Sequence, residues 1–268
     1  MVYILFNKFY IKKKMNTCIF INSSDNTYDI ASIFLKSYSK YIINNPLQVF
    51  MGINKKKHLT FNFINYIEAD KSNWKDETLI QLNILKNNFK MKNVILILDD
   101  FIFNKKKNCS DIYFLLNTFD NNKLKYLSLK KLNESKLTNL ITSLKQKNFI
   151  NKLRFSYPYY SSLQIAVWDI DYLIDNIKSC TSIWSFEHLK KSNNHFQVRD
   201  DYFSYNHIVE KGEWNYYTPS YVKKYVGVFN PGNRKVKNDL IGFISFNLKA
   251  ISFFIFGFSI SKLKKLFT

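Results

Sequence analysis

Val94-Ile95-Leu96-Ile97-Leu98, followed without a break by Asp99-Asp100, is the stretch on which the fold turns. Five apolar residues in succession, with no polar alternation, are the pattern of a central strand buried on both faces of a sheet. The two carboxylates stand directly after it, at the carboxyl end of a strand, where open α/β sheets collect their ligands. Towards the N-terminus, Thr17-Cys-Ile-Phe-Ile21 is a second short apolar run, ended by the polar loop Asn22-Ser-Ser-Asp-Asn26. Between the two runs, residues 28–43 carry Ile30, Ile33, Phe34, Tyr38 and Tyr41 at helical spacing, with Asp25 or Thr27 as the cap. Leu47 to Ile53 reads as a strand after Pro46. Trp74 to Phe89 reads as a helix, with Leu79, Leu82 and Leu85 in register and Asp76 and Glu77 in its first turn, where the helix dipole favours anions.

Beyond the acidic pair, Ser110 to Phe119 is helical, Lys125 to Leu129 is a strand, and Glu134 to Lys147 is a helix or the approach to one. Leu163 to Trp168 is apolar, Asp169 to Ile177 and Ser182 to Lys190 read as helices, and Tyr202 to Val209 is extended, leading into Glu210-Lys211-Gly212-Glu213-Trp214. Strands alternating with helices of this length predict an α/β domain with a mixed, mainly parallel sheet flanked by helices. No Pro/Gly-rich linker and no internal repeat divide it. The expected organisation is an N-terminal extension over 1–14, one domain over 15–235 and a hydrophobic, basic tail over 236–268.

Composition narrows the function classes. The chain has 268 residues, 46% of them hydrophobic, which excludes a disordered or collagen-like protein. Forty Lys+Arg against twenty Asp+Glu leave a formal charge of +20, ordinarily the mark of a polyanion binder. Arginine, however, occurs only at Arg154, Arg199 and Arg234, never in the clusters that read phosphates and bases bidentately. The charge therefore points to anionic surfaces or phosphorylated substrates, and nucleic acid is not expected as a partner. Cys18, Cys109 and Cys180 are far apart with no CxxC pair, so neither a disulfide framework nor a cysteine zinc site is expected. The apolar residues of the first segment precede its charges, the reverse of a signal peptide, and a cytoplasmic location is expected. No GxxxxGK[ST], GxGxxG or GxSxG occurs, so the ATPase, dinucleotide and serine-hydrolase readings lack their motifs.

The tail is set apart by its phenylalanines, among them Phe253, Phe254, Phe256 and Phe258, and by Lys262, Lys264 and Lys265. Its uncharged stretch, 250–261, falls short of the roughly 20 residues a span needs. Attachment to the surface of the inner membrane is favoured over a packing helix or dimer seam, and a span comes last.

Paired carboxylates after a central strand suit a hard divalent cation, Mg²⁺ or Mn²⁺, which in turn binds a substrate diphosphate. The plainer alternative is a turn. Asp25 is a helix-cap candidate; only a family resemblance, carried by the motifs taken in order, implies that it meets a nucleotide base or ribose. Asp76 faces a cleft or, as favoured, only serves the helix dipole. Gln164 lies among apolar residues and needs partners, either a buried backbone group or a sugar hydroxyl. Lys211 offers a cation to a diphosphate; a lone histidine such as His207 is more often structural, although the same resemblance implies a late metal ligand there.

Taken in order, Ser23-Ser24-Asp25, Asn73-Trp74-Lys75-Asp76, Val94–Leu98 with Asp99-Asp100-Phe101, Ser162 to Trp168, Trp184-Ser185-Phe186-Glu187 and Glu210 to Trp214 resemble a bacterial glycosyltransferase-like family of surface-polysaccharide (lipopolysaccharide and capsule) biosynthesis. The resemblance covers about residues 15–215. It implies a nucleotide-sugar-binding, GT-A type fold. It also implies transfer of a sugar from a nucleoside-diphosphate donor to a glycan or lipid-linked acceptor. Asp99 and Asp100 would then hold the divalent cation against the donor diphosphate, Asp100 within the catalytic set, although this chain has Asp-Asp-Phe where the family type is Asp-x-Asp. Glu187 matches the base of a Trp-x-x-Glu segment, and Trp184 the aromatic on which a sugar stacks; the alternative makes Trp184 and Phe186 core residues. A rival reading from another class is a non-catalytic basic protein that binds anionic membrane or nucleic acid through its lysines.

Overall fold

A computed structural model describes residues 16–55, 61–71, 73–131, 149–153, 160–187, 189, 194–238 and 244. The expected N-terminal extension, the Glu134–Lys147 helix and the Phe/Lys-rich part of the tail lie outside these residues, apart from Ile244. The chain runs β1 (Thr17–Asn22), a 3₁₀ turn (Asp25–Thr27), α1 (Tyr28–Tyr41), β2 (Ile42–Ile43), β3 (Val49–Ile53), β4 (Ile64–Glu68), α2 (Trp74–Asn87), β5 (Asn93–Leu98), β6 (Phe101–Phe103) and β7 (Lys107–Asn108). It continues with a 3₁₀ turn (Cys109–Asp111), α3 (Ile112–Asn121), β8 (Tyr126–Ser128), β9 (Ile150–Lys152), β10 (Ala166–Asp169), α4 (Ile170–Ser179) and α5 (Ile183–Phe186). The described part closes with β11 (His195–Val198), β12 (Tyr205–His207), β13 (Val209–Glu210), β14 (Glu213–Trp214) and α6 (Thr218–Tyr225).

Eight strands form the central sheet in the order β4-β3-β1-β5-β10-β8-β11-β9. β1 pairs in parallel with β3 and β5, β3 with β4 and β8 with β11, whereas β10 runs antiparallel to both its neighbours and β9 antiparallel to β11. The sheet is therefore mixed and mainly parallel, as the sequence predicts. Its unbroken apolar strands have a direct cause. Ile19, Ile21, Ile95 and Ile97 enter the core that α1 and α3 cover, while Cys18, Phe20, Val94 and Leu96 enter the opposite core, under α2 and α4. Successive residues of a strand point to opposite faces, and here both faces are dry.

Register places the functional edge. Thr17 to Asn22 pair in step with Asn93 to Leu98, so β1 and β5 end at the same level. The chain passes from β1 to β3 and β4 on one side and returns to β5 on the other. The loops after β1 and β5 therefore diverge at a topological switch point, the place where open sheets leave a crevice. Beyond Asp100, β6 leaves the main sheet and pairs antiparallel with β12, matching Phe101 with His207. A third small cluster, Ile30, Ile33, Ile102, Ile208, Trp214 and Val222, fastens this outer layer to α1.

Five elements depart from expectation. The helix over Ser182–Lys190 is reduced to Ile183–Phe186, ended by a turn at Glu187. α1 stops at Tyr41 because Ile42 and Ile43 pair with Lys107 and Asn108. Strands β4 and β11 and helix α6 had no counterpart in the sequence reading. Among the described residues no helix is long and apolar enough to cross a membrane.

Candidate functional site

The acidic pair occupies the turn between β5 and β6, and its two members face different partners. Asp99 is 7% exposed, and its Oδ2 accepts hydrogen bonds from Ser23 Oγ at 2.5 Å and Thr27 Oγ1 at 2.6 Å. Burial pushes its carboxyl up to about 7, against the two hydroxyls that favour the charged form, and neighbouring Asp100 adds to the rise. Asp99 thereby ties the loop after β1 to the loop after β5.

Asp100 points towards the outer layer. Its Oδ2 lies 3.3 Å from His207 Nδ1, and its Oδ1 is buried without a hydrogen-bond partner. The β6–β12 register brings these two residues together: Ile208 N donates to Asp100 O at 2.9 Å, and the Phe101 and His207 rings meet edge to face at 4.6 Å. His207 Nε2 is 2.9 Å from Gln164 Nε2, and Tyr205 donates to Gln164 Oε1 at 2.7 Å. Turning the carboxamide over preserves both contacts and moves the ring proton. With the amide nitrogen at His207, the proton sits on Nδ1 and faces Asp100. With the oxygen there, the proton sits on Nε2, and Nδ1 presents a lone pair beside the carboxylate.

That second form fits a divalent cation. A separation of 3.3 Å is longer than the roughly 2.7–2.9 Å of a charge-assisted bond. It is close to the roughly 3 Å between neighbouring ligands on a small six-coordinate cation with bonds of about 2.1 Å. The orphaned Asp100 Oδ1 is a further oxygen without a donor. Among the described residues no group of three or more His, Cys, Asp or Glu is gathered to hold a metal. Asp100 and His207 would supply only part of a coordination shell, and substrate phosphates and water would have to complete it.

The other residues singled out by sequence fall at several places on the same edge. Asp25 accepts from Asn54 N and Lys55 N, both at 3.2 Å, and its own N–H donates to Asn54 Oδ1 at 2.8 Å, which fastens the end of β3 to the loop after β1. Asn54 Nδ2 also donates to Glu77, a mostly buried carboxyl that burial raises. Asp76 is exposed at the start of α2, where Asn73 caps its N–H at 2.9 Å and donates to its carboxylate at 2.9 Å, the helix-terminal arrangement. Gln164 is held within the His207 and Tyr205 contacts. Lys211 stands exposed at the tip of the β13–β14 hairpin with a positive φ of 55°, and Gly212 follows at 81°.

Trp184 and Phe186, alternatives as core or site, divide between the two. Phe186 is fully buried against Trp74 and Trp168, while Trp184 is 70% exposed. Trp74 Nε1 donates to Asn22 Oδ1, at the end of β1, at 2.7 Å. α5 and Glu187 after it therefore lie at the carboxyl edge of the sheet, on the α2 side. His207 is brought to Asp100 by the β6–β12 pairing, which sets Tyr205 opposite Phe103 and His207 opposite Phe101; the alternation Tyr205, His207 is the sequence signal for it.

No protein-family profile matches the sequence, nor does any curated protein. Among solved structures, S. aureus TarS 1–349 in complex with UDP-GlcNAc is similar at 13% identity and a TM-score of 0.48, covering 90% of this chain and 74% of that one. For TarS 1–349 described without a ligand the figures are 13%, 0.43, 71% and 60%, so the present chain spans about 60% of that protein. A cytidylyltransferase from Leptospira borgpetersenii is similar at 11% identity and a TM-score of 0.39, over 94% of this chain and 93% of that one. Likenesses of this degree say nothing of the chemistry of this chain.

Proposed function

We propose that the chain is a GT-A-like glycosyltransferase that takes a sugar from a nucleoside-diphosphate donor seated at the switch point between β1 and β5. The observation that carries this reading is the pairing of Asp100 with His207 at that edge, with one carboxylate oxygen left buried and unpartnered. Asp100 and His207 would hold Mg²⁺ or Mn²⁺, which would supply neutralisation of the charge that develops on the departing diphosphate. Asp99, through Ser23 and Thr27, and Asp25, through the end of β3, keep the two donor-facing loops in fixed relation. Such positioning lowers the barrier without any change in bonding of its own. Gln164 and Tyr205 hold the imidazole plane.

The attacking acceptor hydroxyl forms its bond to the anomeric carbon as the bond from that carbon to the diphosphate oxygen breaks. Its proton passes to the carboxylate of Glu187, and attack from the face opposite the leaving group inverts the anomeric carbon. Trp184, exposed three residues before Glu187, offers a ring face for an acceptor sugar, and Lys211 an exposed cation for the phosphates. The acceptor class is a glycan or lipid-linked sugar of surface polysaccharide, and the Phe/Lys-rich tail would keep the enzyme at the inner leaflet.

Titration calorimetry with a panel of nucleotide sugars, UDP-GlcNAc first, with and without Mn²⁺, tests the donor. Mn²⁺-dependent heat for at least one donor is expected, and Asp100→Asn should lower turnover about 100-fold or more, the scale of removing one charge-stabilising group. If no nucleotide sugar binds, or if Asp100→Asn retains wild-type turnover, the proposal fails.

A further inference from the structure

On the flank of the molecule, tyrosines and lysines interleave along α6 and the last turns of α1. The rings of Tyr216, Tyr217, Tyr221, Tyr225 and Tyr41 follow one another at 5.3, 5.1, 5.4 and 6.1 Å. All five are half-buried, and the Tyr41 and Tyr217 hydroxyls donate within the protein, to Tyr225 O at 3.3 Å and His207 O at 2.5 Å. Lys40 Nζ stands 5.3 Å from the Tyr41 ring and donates to Tyr225 O at 2.7 Å, and Lys224 Nζ stands 5.1 Å from the Tyr225 ring. Lys36 and Lys223 are exposed on the same two helices. α6 contains no acidic residue. The one acid of α1, Asp29, lies at its far end, where Arg234 Nε donates to it at 2.7 Å. Just after α6, Val228 is 88% exposed.

We infer that this α1–α6 face docks on an anionic lipid surface. Tyrosine combines an apolar ring with a polar tip and settles at the boundary between headgroups and acyl chains. Lysine extends an apolar stem while keeping its ammonium among the headgroups. Charge complementarity separates this occupant from the others. The face carries four lysines and no free carboxylate on its own helices, which suits a continuous anionic plane. A nucleic-acid reader would use guanidinium forks, and Arg234 is spent on Asp29, Asn26 O and Gly212 O. Trp214, in the same small cluster as Val222, bridges to Val236, so the chain leaves towards its Phe/Lys-rich end from beside this face. The inference does not depend on the proposed reaction.

Vesicle flotation of the full chain tests it, with phosphatidylcholine vesicles prepared with and without phosphatidylglycerol. The chain should float with the anionic vesicles and remain behind with the neutral ones. Lys40→Glu/Lys223→Glu/Lys224→Glu should weaken partition about tenfold or more, since each lysine near an anionic surface adds a comparable increment. Because Lys40 also binds Tyr225 O, the pair Lys223→Glu/Lys224→Glu is measured beside it, with thermal unfolding as the check on folding. Wild-type flotation by the double variant, equal partition into neutral vesicles, no flotation at all, or displacement from vesicles by duplex DNA at equal phosphate would each overturn the inference. Calorimetry with UDP-GlcNAc on the same preparations keeps this outcome separate from the fate of the transferase reading.

Discussion

His195 shows what burial alone does to a titratable side chain. It sits on β11 with no exposed surface, its ring stacked on Tyr160 at 4.3 Å. Nδ1 lies 2.7 Å from Tyr160 O, so it carries the proton, and Nε2 accepts from the Tyr172 hydroxyl at 2.9 Å. Burial lowers its pKa to about 4, from an ordinary 6.5, with the Tyr160 carbonyl opposing the shift. The unfolded chain thus binds a proton that the folded chain refuses. Stability contributed by neutral His195 is whole above about 6.5 and is lost as pH falls towards 4, on the order of 3 kcal/mol in all at ~1.4 kcal/mol per pH unit. Asp99 works in the opposite sense. Its folded pKa is raised to about 7, so it favours folding at low pH and loses that contribution as pH rises through its own window. The measurement is therefore a difference: urea unfolding of wild type and His195→Gln between pH 7.5 and 4.5. The variant should lack the acid-side loss; parallel pH profiles would contradict it. The sequence contains four histidines and no sign of which is buried, because β11 is a short strand whose burial comes from its neighbours in the sheet.

At the scale of elements, β3 and α2 meet at Gly52. A Cβ at that position would overlap the carboxamide of Gln81, which is 1% exposed and donates weakly to Ile53 O at 3.4 Å. Gly52→Ala should destabilise the fold by about 1–3 kcal/mol through overpacking, seen as a lower urea midpoint with unchanged slope. Gln81→Ala made in the same chain should return part of that loss. Strict additivity of the two changes would show that they do not touch. A glycine inside an apolar run marks a close approach, and the sequence shows Gly52 plainly without showing what approaches it. The starts of two helices are fixed locally. Asn73 caps α2 and Asp169 caps α4 by accepting from Asp76 N and Tyr172 N, contacts made within three residues along the chain.

Across the whole molecule, one side chain closes the outer layer onto the sheet domain. Arg234 reaches Asp29 at the start of α1, Asn26 O in the turn just before it and Gly212 O in the β13–β14 hairpin, so one guanidinium joins its own segment to two others. Arg234→Ala should speed amide exchange over residues 226–238 about tenfold or more, given ~1.5–3 kcal/mol for hydrogen bonds to a charged group. β1 and β5, which open only with the whole fold, should keep wild-type protection. A uniform rise would make Arg234 a global rather than a local fastener. The residues of such a clamp cannot be read from sequence, since Arg234 stands alone among lysines and two of its three partners, Asp29 and Asn26, lie about two hundred positions away. The same holds for the candidate site. Asp99 and Asp100 are conspicuous because two carboxylates follow a run of five apolar residues, and an apolar run records its own burial in the chemistry of its side chains. The sequence by itself therefore determined the α/β alternation, the central strands and the edge at which polar loops gather. Tertiary structure alone decided that Asp99 turns inward to Ser23 and Thr27, that Asp100 meets His207, and that Tyr41 joins the tyrosines of α6. Those contacts depend on strand order and register, which are set by how whole faces pack and leave no local mark on the residues they bring together.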